Sequence, residues 1–276
     1  MDILSGKKIA EAILLELKNK ITAKNLHPVL SVILVGSDEA SKIYVKLKGE
    51  AAEKIGIGFQ KIELATDVSE QKLLTIISNL NTDEKVNGII VQLPLPNHLD
   101  KLNIIQTIDP KKDVDGFHNE NIALFLSGQE RFLPVFPSAL MEILKSTKEN
   151  LENKKAVIIC NSEEFGQTMQ TALRNENVVS QYFFRADISV NADKIKDADI
   201  IITACGVPNL ISGGMLKEGV IIIDGGITRV DGKVVGDVDF DSVQDLLGYL
   251  SPVPGGVGPV TIACLLRNVY LASKNL

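Results

Sequence analysis

The 276-residue chain has no tryptophan and only three cysteines, Cys160, Cys205 and Cys264. Their spacing pairs none of them, so neither a disulfide framework nor a zinc ligand set is indicated, and a reducing compartment is the simpler assumption. Basic residues do not dominate: 29 Lys and Arg stand against 35 Asp and Glu, giving a formal charge of −6. That balance argues against a general polyanion binder, because nucleic-acid affinity rests on clustered cations. No segment reaches the ~18 consecutive apolar residues of a membrane span. The N-terminus also lacks a basic head followed by an apolar stretch. Instead Ile9, Ile13, Leu14, Leu17 and Ile21 recur at helical spacing among lysines and glutamates, which describes an amphipathic helix and not a signal peptide. The expectation is a cytoplasmic protein with neither nucleic acid nor membrane as partner. What remains is a globular composition, 45% hydrophobic and 23% charged, with length enough for two domains.

Apolar runs alternate with helical patterns along the chain. Val29 to Val35, Gly58 to Leu64 and Gly88 to Gln92 read as strands, with helices over Ala40 to Ile55 and Ser69 to Leu80. A second series has strands at Ala156 to Ile159, Val179 to Phe184, Ile200 to Ala204 and Val220 to Ile223. Strands separated by helices predict parallel sheets with right-handed crossovers, and runs without polar alternation predict burial on both faces. The fold class is therefore α/β, with two sheets and a cleft expected between them. Pro134, Pro137 and a helix-like Ala139 to Lys145 form the connection, and Thr261 to Leu271 reads as a last helix that can fold back across the domain boundary.

Four segments carry chemical information. Tyr44 and Lys48 lie one helical turn apart, so they share a face, and a lysine desolvated beside a ring moves toward a useful acid/base range. Gln92 closes a buried strand just before Pro94 and Pro96, which force a turn and leave it at the carboxyl end, where open α/β sheets bind ligands. Asp113 and Asp115 alternate before Gly116; such a pair can accept hydrogen bonds from a donor-rich heterocycle, bind a cation or shape a turn. A metal would need more oxygen ligands than that segment offers. His118 beside it reads as structural or solvent-exposed. Pro252 to Thr261 packs glycines and prolines into a fixed backbone leading to a helix start at Thr261, suited to a polar or anionic ligand.

In this order, Tyr44 with Lys48, Val-Gln92-Leu-Pro-Leu-Pro, Lys-Asp113-Val-Asp115-Gly-Phe, Val235-Gly-Asp-Val-Asp-Phe240 and Pro-Gly-Gly-Val-Gly-Pro-Val-Thr261 closely resemble the methylenetetrahydrofolate dehydrogenase/methenyltetrahydrofolate cyclohydrolase family. The resemblance runs nearly end to end. It implies a folate-binding catalytic domain over 1–121, completed by the C-terminal helix at 259–276, and a Rossmann-like NAD(P)-binding domain over 122–258. It also implies a homodimer acting on tetrahydrofolate derivatives, oxidising the methylene bridge with NADP or NAD and hydrolysing the methenyl product to 10-formyltetrahydrofolate.

Carried onto this chain, the resemblance implies that Tyr44 orients the folate, Lys48 moves protons, Gln92 holds Lys48, and Asp115 (or Asp113) receives the pterin. Pro254, Gly255, Gly256, Pro259 and Thr261 complete the substrate side. Ser162, Gly166, Arg185, Cys205, Gly206, Pro208, Asp224, Gly226 and Ile227 form the cofactor side, and no metal is implied.

The cofactor side departs from the family. Where members read Gly-Arg-Ser, this chain has Cys160-Asn161-Ser162 followed by Glu163 and Glu164, and a His-Ser-Arg-Thr-like run becomes Phe184-Arg185-Ala186-Asp187. The family's Pro-Cys-Thr-Pro is Pro134-Val135-Phe136-Pro137. Two alternatives follow: a cyclohydrolase with weakened or lost dehydrogenase activity, and a non-enzymatic folate-binding protein that keeps the fold.

Overall fold

The computed structural model describes residues 1–274. In chain order these form β1 (Asp2–Ile3), α1 (Gly6–Ala23), β2 (Val29–Val35), α2 (Glu39–Lys54), β3 (Gly58–Leu64), α3 (Glu70–Thr82), β4 (Gly88–Val91), α4 (Lys101–Thr107), α5 (Asn119–Leu126) and α6 (Val135–Ser146). There follow β5 (Lys155–Cys160), α7 (Glu163–Arg174), β6 (Val179–Phe184), α8 (Ala192–Asp197), β7 (Ile200–Ala204), β8 (Val220–Asp224), β9 (Thr228–Val230), β10 (Lys233–Val235), α9 (Phe240–Val243), β11 (Gly248–Leu250) and α10 (Val257–Ala272). The chain folds as two compact units: Glu11–Val135 with Ile262–Leu276, and Met1–Ala10 with Phe136–Thr261.

The first of these units is built on a parallel sheet of order β3-β2-β4. β2 is central, and six of its seven residues are buried, as an uninterrupted Val-Leu-Ser-Val-Ile-Leu-Val run requires. One side of the core joins Ile33, Ile89 and Val91 of the sheet to Leu73 and Ile77 of α3 and Ile104 of α4. Local chemistry starts the helices. The Asp38 carboxylate accepts from the Ser41 N–H at 2.7 Å to open α2, and Ser69 and Asp100 cap α3 and α4 in the same way.

The other unit holds a six-stranded parallel sheet of order β1-β11-β8-β7-β5-β6. From β5 the chain passes to β6 on one side and then to β7 on the other. The β5/β7 boundary is thus a topological switch point, the place where doubly wound sheets seat ligands at their carboxyl ends. β8 is buried along its whole length, and its Val220 and Ile222 pack with Val157, Ile159, Ile201 and Leu250.

Two helix starts differ from the sequence expectation. α6 begins at Val135 and α10 at Val257, so Pro137 and Pro259 each fall in a first turn, where a missing N–H leaves no intrahelical acceptor unsatisfied. Thr261 is consequently inside α10, its hydroxyl donating to the Gly258 carbonyl at 2.6 Å. The short elements β1, β9, β10, β11, α4, α5, α8 and α9 carry too few residues for a periodic signal. β1 in particular comes from the extreme N-terminus and pairs with β11.

Candidate active site

In the unit built on β2, α2 carries Tyr44 and Lys48 on one face, and Lys48 is 6% exposed although it is a lysine. Its Nζ donates to the Gln92 Oε1 at 2.9 Å and lies 4.8 Å from the centroid of the Tyr44 ring. The orientation of the Gln92 amide is set by its other end, where Nε2 donates to the Leu93 carbonyl at 2.7 Å. Ser41, one turn before Tyr44 on the same helix, donates to that carbonyl at 3.4 Å. Gln92 is the first residue past β4, and the Leu93–Pro94 peptide that follows is cis.

The same edge of the sheet receives Asp115. Ile89 of β4 bridges in parallel to Asp113, with the Ile89 N–H on the Lys112 carbonyl at 2.8 Å, so the segment 112–114 runs beside β4 and releases Asp115 at the carboxyl end. Two buried side chains hold this segment. Asn268 of α10 donates to the carbonyls of Val114 and Leu133 at 2.9 and 2.8 Å. Lys112 donates to the carbonyls of Leu80 and Asp83 at the end of α3, at 3.0 and 2.7 Å.

The two aspartates have different surroundings. The Asp113 carboxylate is fully buried and accepts from the N–H groups of Gly116 and His118 and from Asn121 Nδ2, at 3.2, 2.8 and 2.9 Å. It shapes the turn. Asp115 is partly exposed, and its carboxyl is pushed up to about 6 by burial; the Lys48 charge opposes that rise and the Asp113 charge adds to it. Burial also pushes the Lys48 ammonium below the ordinary lysine range, with the Asp115 charge acting against it. The structure thus brings Tyr44, Lys48, Gln92, Asp113 and Asp115 into one place. Burial disfavours the charged form of both groups, which favours proton movement at the amine and at the carboxyl. Ser41, Asn121 and Asn268 support them. Sequence reading missed these three, since a lone Ser or Asn carries no spacing signal.

Pro254, Gly255, Gly256, Pro259 and Thr261 belong to the other unit. Gly256 is there for close approach. A Cβ on Gly6 of α1 would lie 1.7 Å from the Gly256 carbonyl oxygen, and one on Gly256 itself would lie 2.4 Å from the Pro252 oxygen. Gly255 has φ +98° with open space around it, a conformation that favours glycine.

The residues expected on the cofactor side collect at the carboxyl ends of β5 to β8. Ser162 caps α7, accepting from the Phe165 N–H at 3.3 Å, and α7 points its N-terminus out of the β5 end as a dinucleotide fold does. Gly166 allows α7 to press on β6, since a Cβ there would come within 2.6 Å of the Tyr182 ring. Cys160 pairs with Phe184, so Ser162 and the exposed Arg185 leave the sheet from adjacent strands, ~4.8 Å apart. After β7 come Cys205, Gly206 with φ +66°, and Pro208; Ile227, 63% exposed, follows β8. Glu163 and Glu164 are exposed at the start of α7, and the Glu163 carboxylate accepts from Gln167 Nε2 at 2.9 Å.

Asp224 faces inward. Its carboxylate accepts from the N–H groups of Gly226, Asp237 and Val238 at 2.9, 3.1 and 3.0 Å, and burial pushes it up to about 6 against those bonds. A sheet open at its switch point, a helix N-terminus, close-packing Gly166 and an exposed Gly206 together fit a dinucleotide. Among the described residues, no group of three or more His, Cys, Asp and Glu is placed to hold a metal ion, and no helix is long and apolar enough to cross a membrane.

The model of the tetrahydrofolate dehydrogenase/cyclohydrolase catalytic domain matches residues 4–115, and that of the tetrahydrofolate dehydrogenase/cyclohydrolase NAD(P)-binding domain matches residues 134–276. The bifunctional protein FolD of Halothermothrix orenii is 43% identical over 280 residues, covering 99% of this chain and 98% of its own. That of Bacillus cytotoxicus is 41% identical over 276 residues, covering 99% and 96%. Among solved structures, the bifunctional FolD methylenetetrahydrofolate dehydrogenase/cyclohydrolase of Campylobacter jejuni superposes with a TM-score of 0.94 at 43% identity, covering 100% of this chain and 99% of that one. The Trypanosoma brucei enzyme, complexed with NADP and an inhibitor, gives 0.93 at 33% identity, covering 99% and 97%.

Proposed function

The chain belongs to the tetrahydrofolate dehydrogenase/cyclohydrolase family, and from that premise we propose how its own residues divide the work. The protein is an enzyme of one-carbon folate metabolism. It oxidises 5,10-methylenetetrahydrofolate with NAD(P) and hydrolyses the 5,10-methenyl cation to 10-formyltetrahydrofolate.

The observation that carries the assignment of residues is the buried Lys48 amine, held on Gln92 and against Tyr44, with Asp115 as its electrostatic counterpart. In hydrolysis a water adds to the methenyl carbon, and neutral Lys48 accepts the proton that the water gives up. The bond from that carbon to N5 then breaks. Of the water's two protons, one ends on N5 and one is released. A depressed lysine pKa serves this cycle because the amine must be neutral before each attack. Gln92 holds the amine in place as its hydrogen-bond acceptor. Tyr44 gives the folate ring an aromatic face, and Asp115, whose carboxyl has no hydrogen-bonding partner among the described residues, receives the pterin's N–H donors. Asp113 supports that loop through its three donors.

For the oxidation, Ser162, Gly166, Arg185, Cys205, Gly206, Pro208, Gly226 and Ile227 surround the dinucleotide, and Asp224 shapes the loop that carries the last two. When bound, the nicotinamide takes the hydride removed from the methylene bridge. Pro254, Gly255, Gly256, Pro259 and Thr261 are proposed as substrate-binding residues on the resemblance of their motif. We place the chain in a cytoplasmic homodimer, whose mass light scattering can check.

Lys48→Met tests the assignment. Decay of methenyltetrahydrofolate absorbance above the spontaneous rate is expected to fall at least about 100-fold, the lower range of a general acid–base contribution. Undiminished hydrolysis would remove Lys48 from its role. Glu163 and Glu164 favour one second reading, a weakened oxidation, because like charge at a helix N-terminus opposes phosphate. NADP and NAD reduction measured beside hydrolysis decides it.

A further inference from the structure

Asp237 is fully buried, and nothing in the proposed chemistry uses it. Its carboxylate is nevertheless one of the most heavily bonded groups in the molecule. Oδ2 accepts from Thr203 Oγ1 at 2.7 Å and from the Cys205 N–H at 2.6 Å, and Oδ1 accepts from the Val207 N–H at 2.7 Å. All three donors belong to the end of β7 and the turn after it, at the switch point where a dinucleotide sits. The fold makes room for this carboxylate at the expense of side chains. A Cβ on Gly226 would lie 2.1 Å from Asp237 Oδ1. Gly226 is therefore glycine because of Asp237.

The pattern of donors matters more than their number. In the turn 205–207 the first and third N–H groups are taken by Asp237, while Gly206 between them is exposed, has φ +66°, and donates to no acceptor among the described residues. Carbonyls of the same turn are also engaged: that of Cys205 accepts from Asn161 Nδ2 at 2.7 Å, and that of Gly206 from Thr228 Oγ1 at 2.7 Å. One amide of a rigidly held loop is left over for a ligand.

Resting on the reading of this unit as the dinucleotide site, we propose that Asp237 is a positioning residue for the oxidation. It fixes the 203–207 turn so that the Gly206 N–H is offered to the bound NAD(P). Asp237 touches no substrate; it acts through the turn.

The test uses the full chain and two variants, Asp237→Asn and Thr203→Val. Asn replaces one acceptor oxygen with an NH2 group, so it sets a donor against at least one of the three donors. Calorimetric titration with NADP and with NAD is expected to show affinity for the better cofactor reduced about tenfold or more in Asp237→Asn, the usual scale for an unsatisfied buried polar contact. Its KM for that cofactor rises in step while kcat at saturation and methenyltetrahydrofolate hydrolysis stay near the wild-type values. Thr203→Val keeps the carboxylate and both N–H donors and loses one hydroxyl, so a smaller weakening, about threefold, is expected if Asp237→Asn does not fold. A purely structural role would lower the melting temperature without moving the dissociation constant, and that result in either variant overturns the proposal. If the wild-type chain binds neither dinucleotide, the reading of the site itself falls, which is a distinguishable outcome.

Discussion

Replacing Gln92 by leucine tests whether the Lys48 amine is tuned by its neighbours in the way the geometry requires. The 2.9 Å bond from Nζ is to a neutral acceptor in a buried setting, and the Asp115 charge works against the effect of that burial. A hydrogen bond from a charged group is worth about 1.5–3 kcal/mol, and the neutral amine keeps part of it, so the ammonium form alone loses about 1.4 kcal/mol. That loss corresponds to about one pH unit. Burial already holds the ammonium below the ordinary lysine range, and the leucine variant pushes it further down. If neutral Lys48 takes the proton of the attacking water, the ascending limb of the pH–rate profile reports its deprotonation. In Gln92→Leu that limb moves about one unit toward acid, while the plateau falls because a weaker base drives proton transfer less well. The assay is methenyl decay across pH, corrected for the spontaneous reaction, with the lysine 13Cε shift followed by NMR as a direct titration. An ascending limb and a 13Cε midpoint that both stay where they were would refute the coupling of Gln92 to Lys48.

Three further outcomes follow from single contacts. The Asp224 carboxyl lies at about 6 in the folded chain against an ordinary 3.8, so the native state holds its proton more tightly than the unfolded state. Its stabilising contribution is complete below the lower value and is lost as pH rises through about 6; urea unfolding should show Asp224→Asn with a flatter decline between about pH 4 and pH 7, and an unchanged slope would count against it. Gly166→Ala places a Cβ 2.6 Å from the Tyr182 ring, so α7 or the ring must shift, costing about 1–3 kcal/mol in urea midpoint measurements; Tyr182→Leu in the same chain should recover part of that cost, and no recovery would place the strain elsewhere. Lys112→Met removes both donors from the Leu80 and Asp83 carbonyls and should lower stability by about 1–3 kcal/mol, a loss that arginine at the same position, if it reaches either carbonyl, makes smaller.

Val29–Val35 and Ile200–Ala204 stand in the structure with the bounds that their apolar runs suggest, because a continuous run rich in β-branched residues, buried almost throughout, leaves the chain few other choices. Val179–Phe184 also keeps its bounds, but as an outer strand with no buried residue. Helix starts at prolines were harder. Pro137 and Pro259 read as breaks, yet each sits in a first helical turn, and the difference depends on backbone donors that sequence spacing does not reveal. The Asp113 and Asp115 pair shows the same limit in side chains. Spacing left three roles open for both residues; in the folded chain three donors close on the Asp113 carboxylate, while the Asp115 carboxyl has no hydrogen-bonding partner among the described residues.

The sequence by itself determined the fold class, the family, and the one-turn separation that sets Tyr44 and Lys48 on a common face, because each follows from local periodicity or from ordered motifs. Only the tertiary structure decided which charges are buried together and which donors are already spoken for. The depressed Lys48, the raised Asp115, and the use of Asp237 to hold a turn some thirty residues earlier in the chain all arise from contacts between distant segments. Desolvation and hydrogen bonding depend on what folds against a residue, and that is a property of the packed molecule, not of the order of its residues.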